Sequence, residues 1–224
     1  MSTIMSVIVI GATSGIGRAV VELLAGEGIR VGIAGRREER LIELQQRFGR
    51  ELVSYRVMDV TQPSAVGALE ELIAEVGAPD ALLYASGIGK QNPTLDEAME
   101  LRTVETNCAG MVRIVDHFIN YVKRTPYYTS ARKAHIAVIT SVAGTMGMGQ
   151  APAYSATKSM QSAYLVALSQ LARMQRWPIT VGDIRPGFVA TEILNPDKHY
   201  PMLMTANEAA RHIVHSRHRH QRIT

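Results

Sequence analysis

The chain has 224 residues, 46% of them hydrophobic and 20% charged, with a formal net charge of +4. That is the length of one domain with a sizeable core, and the composition is that of a globular chain, not a disordered or collagenous one. The basic residues are spread along the sequence, which argues against nucleic acid as a partner and suits a small anionic ligand.

Met5–Ile10 is an apolar run rich in β-branched residues and predicts a strand covered on both faces. Gly15–Glu27 predicts a helix, with Ile16, Val20, Leu23 and Leu24 as its apolar stripe. Ile29–Ala34 follows as a strand and Arg37–Phe48 as an amphipathic helix. Leu52–Val57 is a third strand, Ser64–Val76 a helix and Ala81–Ala85 a fourth strand. A long helical stretch covers Leu95 to Lys123, then a strand at Ala134–Thr140 and a second long helix at Ala153–Gln175. Ile179–Ile184 reads as a sixth strand, Asn207–Ser216 as a last helix and Gln221–Thr224 as the start of a seventh strand. Strands alternating with helices over short connections argue for an α/β fold: a doubly wound parallel sheet with helices on both faces, in one domain over residues 1–224. Such sheets bind ligands beyond the carboxyl ends of their strands.

The N-terminal apolar run is too short to span a membrane and carries no basic flank. The lone cysteine, Cys108, allows no intramolecular disulfide and reads as a small buried hydrophobe. A cytoplasmic protein without a membrane segment is the expectation.

Gly11-Ala-Thr-Ser-Gly15-Ile-Gly17 stands between the first strand and the first helix. Gly11 permits a tight turn, Gly15 lets a pyrophosphate approach the backbone, and Gly17 allows close helix–strand packing. The helix N-terminus adds free N–H groups and a favourable dipole, with Thr13, Ser14 and Ile16 in the same turn. This is a dinucleotide site in the expected place. At the end of the second strand a carboxylate would select a free ribose 2′-hydroxyl; the sequence has Arg36 and Arg37 instead. Guanidinium groups bind phosphate oxygens, so NADP(H) is expected over NAD(H), with Arg36 the leading contact and Arg37 the second. Asp59-Val60 follows the third strand, where Asp59 either accepts from the adenine amino group or holds a turn.

Tyr154 and Lys158 are four residues apart at a helix start and share one face. Ser141 closes the fifth strand, and Asn107 lies in the long helix before it. Carbonyl reduction needs a hydride donor and a proton donor aimed at the same carbonyl. A tyrosine of ordinary pKa, about 10, is a weak acid for that role, and a neighbouring ammonium lowers the value. Lys158 can supply the ammonium, Ser141 a hydrogen bond to the substrate oxygen, and Asn107 a water that links Lys158 to solvent.

Together GATSGIG, Asp59-Val60, Asn107, Ser141, Tyr154-Ser-Ala-Thr-Lys158 and Arg185-Pro186-Gly187 resemble the short-chain dehydrogenase/reductase family, single-domain type. The resemblance runs over nearly the whole chain. It implies a Rossmann fold and hydride transfer, with Tyr154 as general acid/base and Lys158, Ser141 and Asn107 as its partners. It also implies that Pro186, Gly187, Val189 and Thr191 pass over the nicotinamide. Three departures stand out. Ile10 occupies a position that is often Thr. The family's Asn-Asn-Ala-Gly reads Tyr84-Ala85-Ser86-Gly87, which leaves backbone contacts to the cofactor at Ala85, Ser86 and Gly87. The family's last strand and tail are reduced, so the pocket is expected to be more open or to be closed by another subunit.

Substrate contacts are expected from Val142–Gln150, Tyr84–Gln91 and a substrate loop at about 188–204, whose methionines make it apolar and adaptable. The substrate is expected to be a ketone or secondary alcohol of moderate size. By analogy the two long helices make a homodimer or homotetramer. His212, His215, His218 and His220 lack a nearby carboxylate or cysteine and read as a solvated basic tail; no metal is expected. The alternative to an enzyme is an NADP(H)-binding regulator with little catalysis, which would have no need of the Asn–Ser–Tyr–Lys set.

Overall fold

The computed structural model describes residues 6–194 and 199–216. Six parallel strands form one sheet: β1 (Ser6–Ile10), β2 (Arg30–Gly35), β3 (Val53–Val57), β4 (Ala81–Tyr84), β5 (Ala134–Ile139) and β6 (Ile179–Ile184). The spatial order is β3-β2-β1-β4-β5-β6. This is the doubly wound Rossmann order, and it reverses between β1 and β4. A crevice therefore opens there, beyond the carboxyl ends of the strands.

Alternation along each strand sorts its side chains between two cores. Val7 and Val9 of β1 pack with α1 (Gly15–Gly26), α2 (Glu38–Phe48) and α7 (Ala206–Ser216) through Val20, Leu24, Leu41, Leu44 and Ile213. Ile8 and Ile10 point the other way. They join α3 (Ala65–Val76), α5 (Gly110–Arg124) and α6 (Pro152–Met174) through Leu69, Ile114, Phe118 and Leu165. Leu41 and Leu44 are fully buried, and each contributes about 2 kcal/mol by leaving water. Gly49, with φ +86°, ends α2 in the left-handed region.

The long helix expected over Leu95–Lys123 is present but broken in register. Asp96 caps α4 (Glu97–Val104) by accepting from Met99 N at 2.8 Å. A π-helical turn at Glu105–Ala109 follows, and α5 continues from Gly110. The turn accommodates one extra residue, which an apolar period alone does not reveal. Pairing of β7 (Val189–Ala190) with β8 (Met204–Thr205) was also not expected; this small ladder ties the two ends of the substrate loop together. Positions 195–198 of that loop, the seventh strand at Gln221–Thr224, and His218 and His220 lie outside the described residues. His212 and His215 lie on the exposed side of α7.

Candidate active site

The glycine turn forms as the spacing requires. Gly11 has φ +89°, and a Cβ there would stand 2.6 Å from Ser86 N. A Cβ on Gly17 would stand 2.3 Å from the Gly11 carbonyl oxygen. Gly15, with φ +55°, opens α1, and Thr191 lies over it, with Cγ2 3.1 Å from the Cβ position. Ser14 is the N-cap of α1 but makes no side-chain cap, and no acidic residue stands in the first turn. The N–H groups at this helix end are thus left for an anion, as a pyrophosphate site needs. Thr13 is buried against Gly35, whereas Ile16 is only partly buried.

Arg36 is exposed, with no hydrogen bond or ion pair to a described residue. Arg37 is bound on all sides. It donates to Thr13 Oγ1 at 3.0 Å and Ser14 Oγ at 2.6 Å, and pairs with Glu192 at 2.7 Å. Arg40 pairs with the same carboxylate at 2.8 Å. These guanidinium groups hold the Glu192 carboxyl below the usual range. Glu192 was not anticipated: it is distant in sequence, and only the fold brings it to the end of β2.

Asp59 spends one oxygen on a turn, accepting from Thr61 N at 3.0 Å and Thr61 Oγ1 at 2.8 Å. Val60 is buried against Gly110, and its carbonyl accepts from Arg113. Ala85 N donates to Ile10 O at 2.8 Å, which keeps the β4 end beside the glycine turn. Tyr84, where the family has Asn, is fully buried, and its hydroxyl donates to Thr106 O at 3.2 Å.

Ser141, Tyr154, Lys158 and Asn107 come together at the carboxyl end of β5. Ser141 Oγ accepts from Ala143 N at 3.1 Å, and its hydroxyl lies beside the Tyr154 phenol. Burial pushes the Tyr154 phenol up, and the Ser141 contact opposes that shift. The sequence assigned this opposing role to Lys158. Its Nζ, however, lies 5.8 Å from the Tyr154 ring centroid and donates elsewhere, to Ile139 O and Gln161 Oε1, both at 3.0 Å. Burial lowers Lys158 from 10.5 to about 8, against smaller raising effects of Cys108 and Asp183.

Asn107 is fully buried. Its side chain clamps Ile88, accepting from the N–H at 2.9 Å and donating to the carbonyl at 2.8 Å, and donates to Thr157 Oγ1 at 3.0 Å. A side chain directly bridges Asn107 and Lys158. Gln161 Nε2 donates to the Asn107 carbonyl at 2.7 Å while its Oε1 accepts from Lys158.

Two further residues support the site. Glu100 of α4 accepts from Ala153 N at 2.8 Å, capping the helix start that carries Tyr154. Its other oxygen accepts from the buried Asn92 at 2.8 Å. Pro186 O accepts from Val142 N at 3.1 Å, which brings Pro186 and the exposed Gly187 over the end of β5. Val189 is buried in the ladder with β8. Among the described residues no group of three His, Cys, Asp or Glu could hold a metal ion.

The fold and this cluster together define a Rossmann-type oxidoreductase. The sequence profile of the short chain dehydrogenase family matches residues 5–200. The chain belongs to that family, whose members act on CH–OH and C=O groups. It is 30% identical over 192 residues to an uncharacterized oxidoreductase of Staphylococcus saprophyticus, covering 84% of this chain and 75% of that one. It is 29% identical to dehydrogenase/reductase SDR family member 7B of Xenopus tropicalis, and spans 62% of that protein's length. Among solved structures, it resembles a 3-ketoacyl-(acyl-carrier-protein) reductase from Brucella melitensis complexed with NADH, with a TM-score of 0.83 at 20% identity over 94% of this chain and 89% of that one. It also resembles a serine dehydrogenase complexed with NADP+, with a TM-score of 0.79 at 23% identity over 95% and 89%. At these identities the structural likeness is one of fold.

Proposed function

We propose that the chain is an NADP(H)-dependent carbonyl reductase or secondary-alcohol dehydrogenase with Tyr154 as its general acid/base. The observation that carries the reading is the convergence of the Ser141 hydroxyl, the Tyr154 phenol and the buried Lys158 ammonium, next to a helix end left uncapped for an anion. Solved relatives of the same fold bound to NADP+ and NADH support a nicotinamide cofactor without choosing between the two.

In this reading the turn from Gly11 to Gly17, with Thr13, Ser14, Gly15 and Ile16, holds the pyrophosphate. Arg36 and Arg37 hold the 2′-phosphate, and Asp59 and Val60 border the adenine. Backbone at Ala85, Ser86 and Gly87 lines the ribose side, and Pro186, Gly187, Val189 and Thr191 cover the nicotinamide. When bound, NADPH supplies the hydride. The chain's own groups do the rest: Ser141 donates toward the developing alkoxide, and Tyr154 delivers the proton. Burial keeps Tyr154 a phenol, the form a proton donor needs. The regulator alternative is the weaker reading, because nothing in a sensor's task calls for this set of side chains.

Exposed apolar side chains on the long helices, Leu101 and Val104 of α4 and Met160, Val166 and Leu171 of α6, support a homodimer or homotetramer through these faces. None of the described helices is long and apolar enough to cross a membrane. The lone Cys108 is the basis for assigning the chain to the cytoplasm. The test of the activity is NADPH absorbance followed over a panel of ketones and the matching alcohols, including a β-keto ester such as ethyl acetoacetate. Turnover of at least one panel member supports the reading. Tight NADPH binding with no consumption anywhere in the panel favours the regulator.

A further inference from the structure

Gln161 is a fully buried amide on α6, one helical turn beyond Lys158. A buried amide costs stability unless both of its ends are satisfied. Here both are: Nε2 donates to the Asn107 carbonyl at 2.7 Å, and Oε1 accepts from Lys158 Nζ at 3.0 Å. The Asn107 carbonyl belongs to the π-helical turn, whose ladder is shifted by one residue, with Gly110 N donating to Glu105 O. Lys158 reaches its second acceptor, Ile139 O, on β5. Its amine also stands by the β4 loop, 3.5 Å from the Cβ position of Gly87.

We propose that Gln161 is a positioning residue of this site: anchored on the Asn107 carbonyl, its amide oxygen aims the Lys158 amine and keeps it an ammonium. The proposal rests on the reading of Tyr154 and Lys158 as the reacting pair. The other titratable groups facing Lys158 leave this task to Gln161. Cys108, in the π-helical turn, is a thiol that burial pushes up. Asp183 of β6 is engaged by Arg185 at 2.7 Å and by Thr140. Tyr154, on the same helix, is held as a phenol. Among the described residues the acceptors in direct contact with the amine are thus two neutral oxygens, one on the backbone and one on a side chain. An amide accepts at one end and donates at the other without readily exchanging its own proton. Gln161 therefore holds the lysine in place; it does not relay protons.

The test is the titration of Lys158 in the cofactor-free protein. The sequence contains five lysines, so Cε-labelled lysine gives a readable NMR spectrum, assigned with Lys158→Met. Gln161→Leu removes the acceptor. Its midpoint is expected to fall by about one pH unit, the scale of one hydrogen bond to a charged group. Gln161→Glu places a carboxylate there, and its midpoint is expected to rise. The alkaline limb of NADPH-dependent turnover of ethyl acetoacetate, or of the best panel ketone, should move in the same directions. A purely structural role would not shift the two variants in opposite senses. Unchanged midpoints in both variants, with the other lysine resonances in place, overturn the proposal. If Tyr154→Phe keeps full turnover, the reading of the reacting pair fails, while the NMR midpoints still decide the Gln161–Lys158 link on their own.

Discussion

Gly89 packs against the ring of Tyr154: a Cβ at position 89 would stand 2.2 Å from Cδ2 of the phenol ring. The loop after β4 thus sets where the proposed proton donor can sit. Gly89→Ala forces ring or loop to move. Displacing a reacting group by about 1 Å costs up to about 10²-fold in rate. We expect Gly89→Ala to lower kcat by that order while the unfolding midpoint changes little, checked by steady-state kinetics beside thermal denaturation.

Glu192 ties the substrate loop to the two arginines at the start of α2, and its carboxylate is more than half exposed. A 2′-phosphate on Arg36 and Arg37 would meet this negative charge. Glu192→Gln is therefore expected to tighten NADPH binding by up to about five-fold, the scale of about 0.2–1 kcal/mol for exposed ion pairs, and to leave NADH binding nearly unchanged. Fluorescence titration with both nucleotides measures this. Equal changes for both would mean that Glu192 does not sense the 2′-phosphate.

Arg36 follows β2 with its guanidinium unpaired among the described residues. Arg36→Ala should weaken NADPH binding and leave NADH nearly untouched, which narrows the preference between them. A kcat/KM ratio for the two cofactors equal to that of the unaltered protein would show that the 2′-phosphate is held elsewhere.

Lys158 gives the pH dependence its sign. Burial lowers it to about 8 from 10.5. Its ammonium is present below about pH 8 and is lost above it, so carbonyl reduction should decline on the alkaline side. Between these two values the unfolded chain holds the proton more tightly than the folded one, so this group's contribution to stability rises with pH in that window. Urea denaturation between pH 8 and 10, set against Lys158→Met, should show that rise only in the unaltered chain.

Much of this was legible because its signals are local. The apolar runs of β1 and β4 and the glycines of the first turn announce a Rossmann sheet from neighbouring residues alone. Asn107, Ser141, Tyr154 and Lys158 were legible as a set in chain order, and the fold brings them to one strand end. What was missed depends on contacts that close only in three dimensions. Glu192 meets Arg37 from 155 residues away, and Glu100 meets Ala153 from 53. The π-helical turn is invisible to an apolar period because it shifts the ladder without changing which residues are apolar. Gln161 did leave a signal: a polar side chain three positions after Lys158 on the buried face of α6 calls for a partner. Lys158 is expected from the sequence to lower the pKa of Tyr154, but side-chain direction sends its amine toward Ile139 and Gln161 instead.

On the proposed function, Tyr154 donates the proton in a hydride-transfer reaction. Tyr154→Phe removes one hydroxyl and keeps the ring against Gly89. Loss of a general acid costs about 10²–10⁴-fold. The decisive measurement is turnover of the best panel ketone by this variant, beside its NADPH affinity. Turnover is expected to fall by that factor, with NADPH affinity within a few-fold of the unaltered chain. Full turnover in Tyr154→Phe would contradict it.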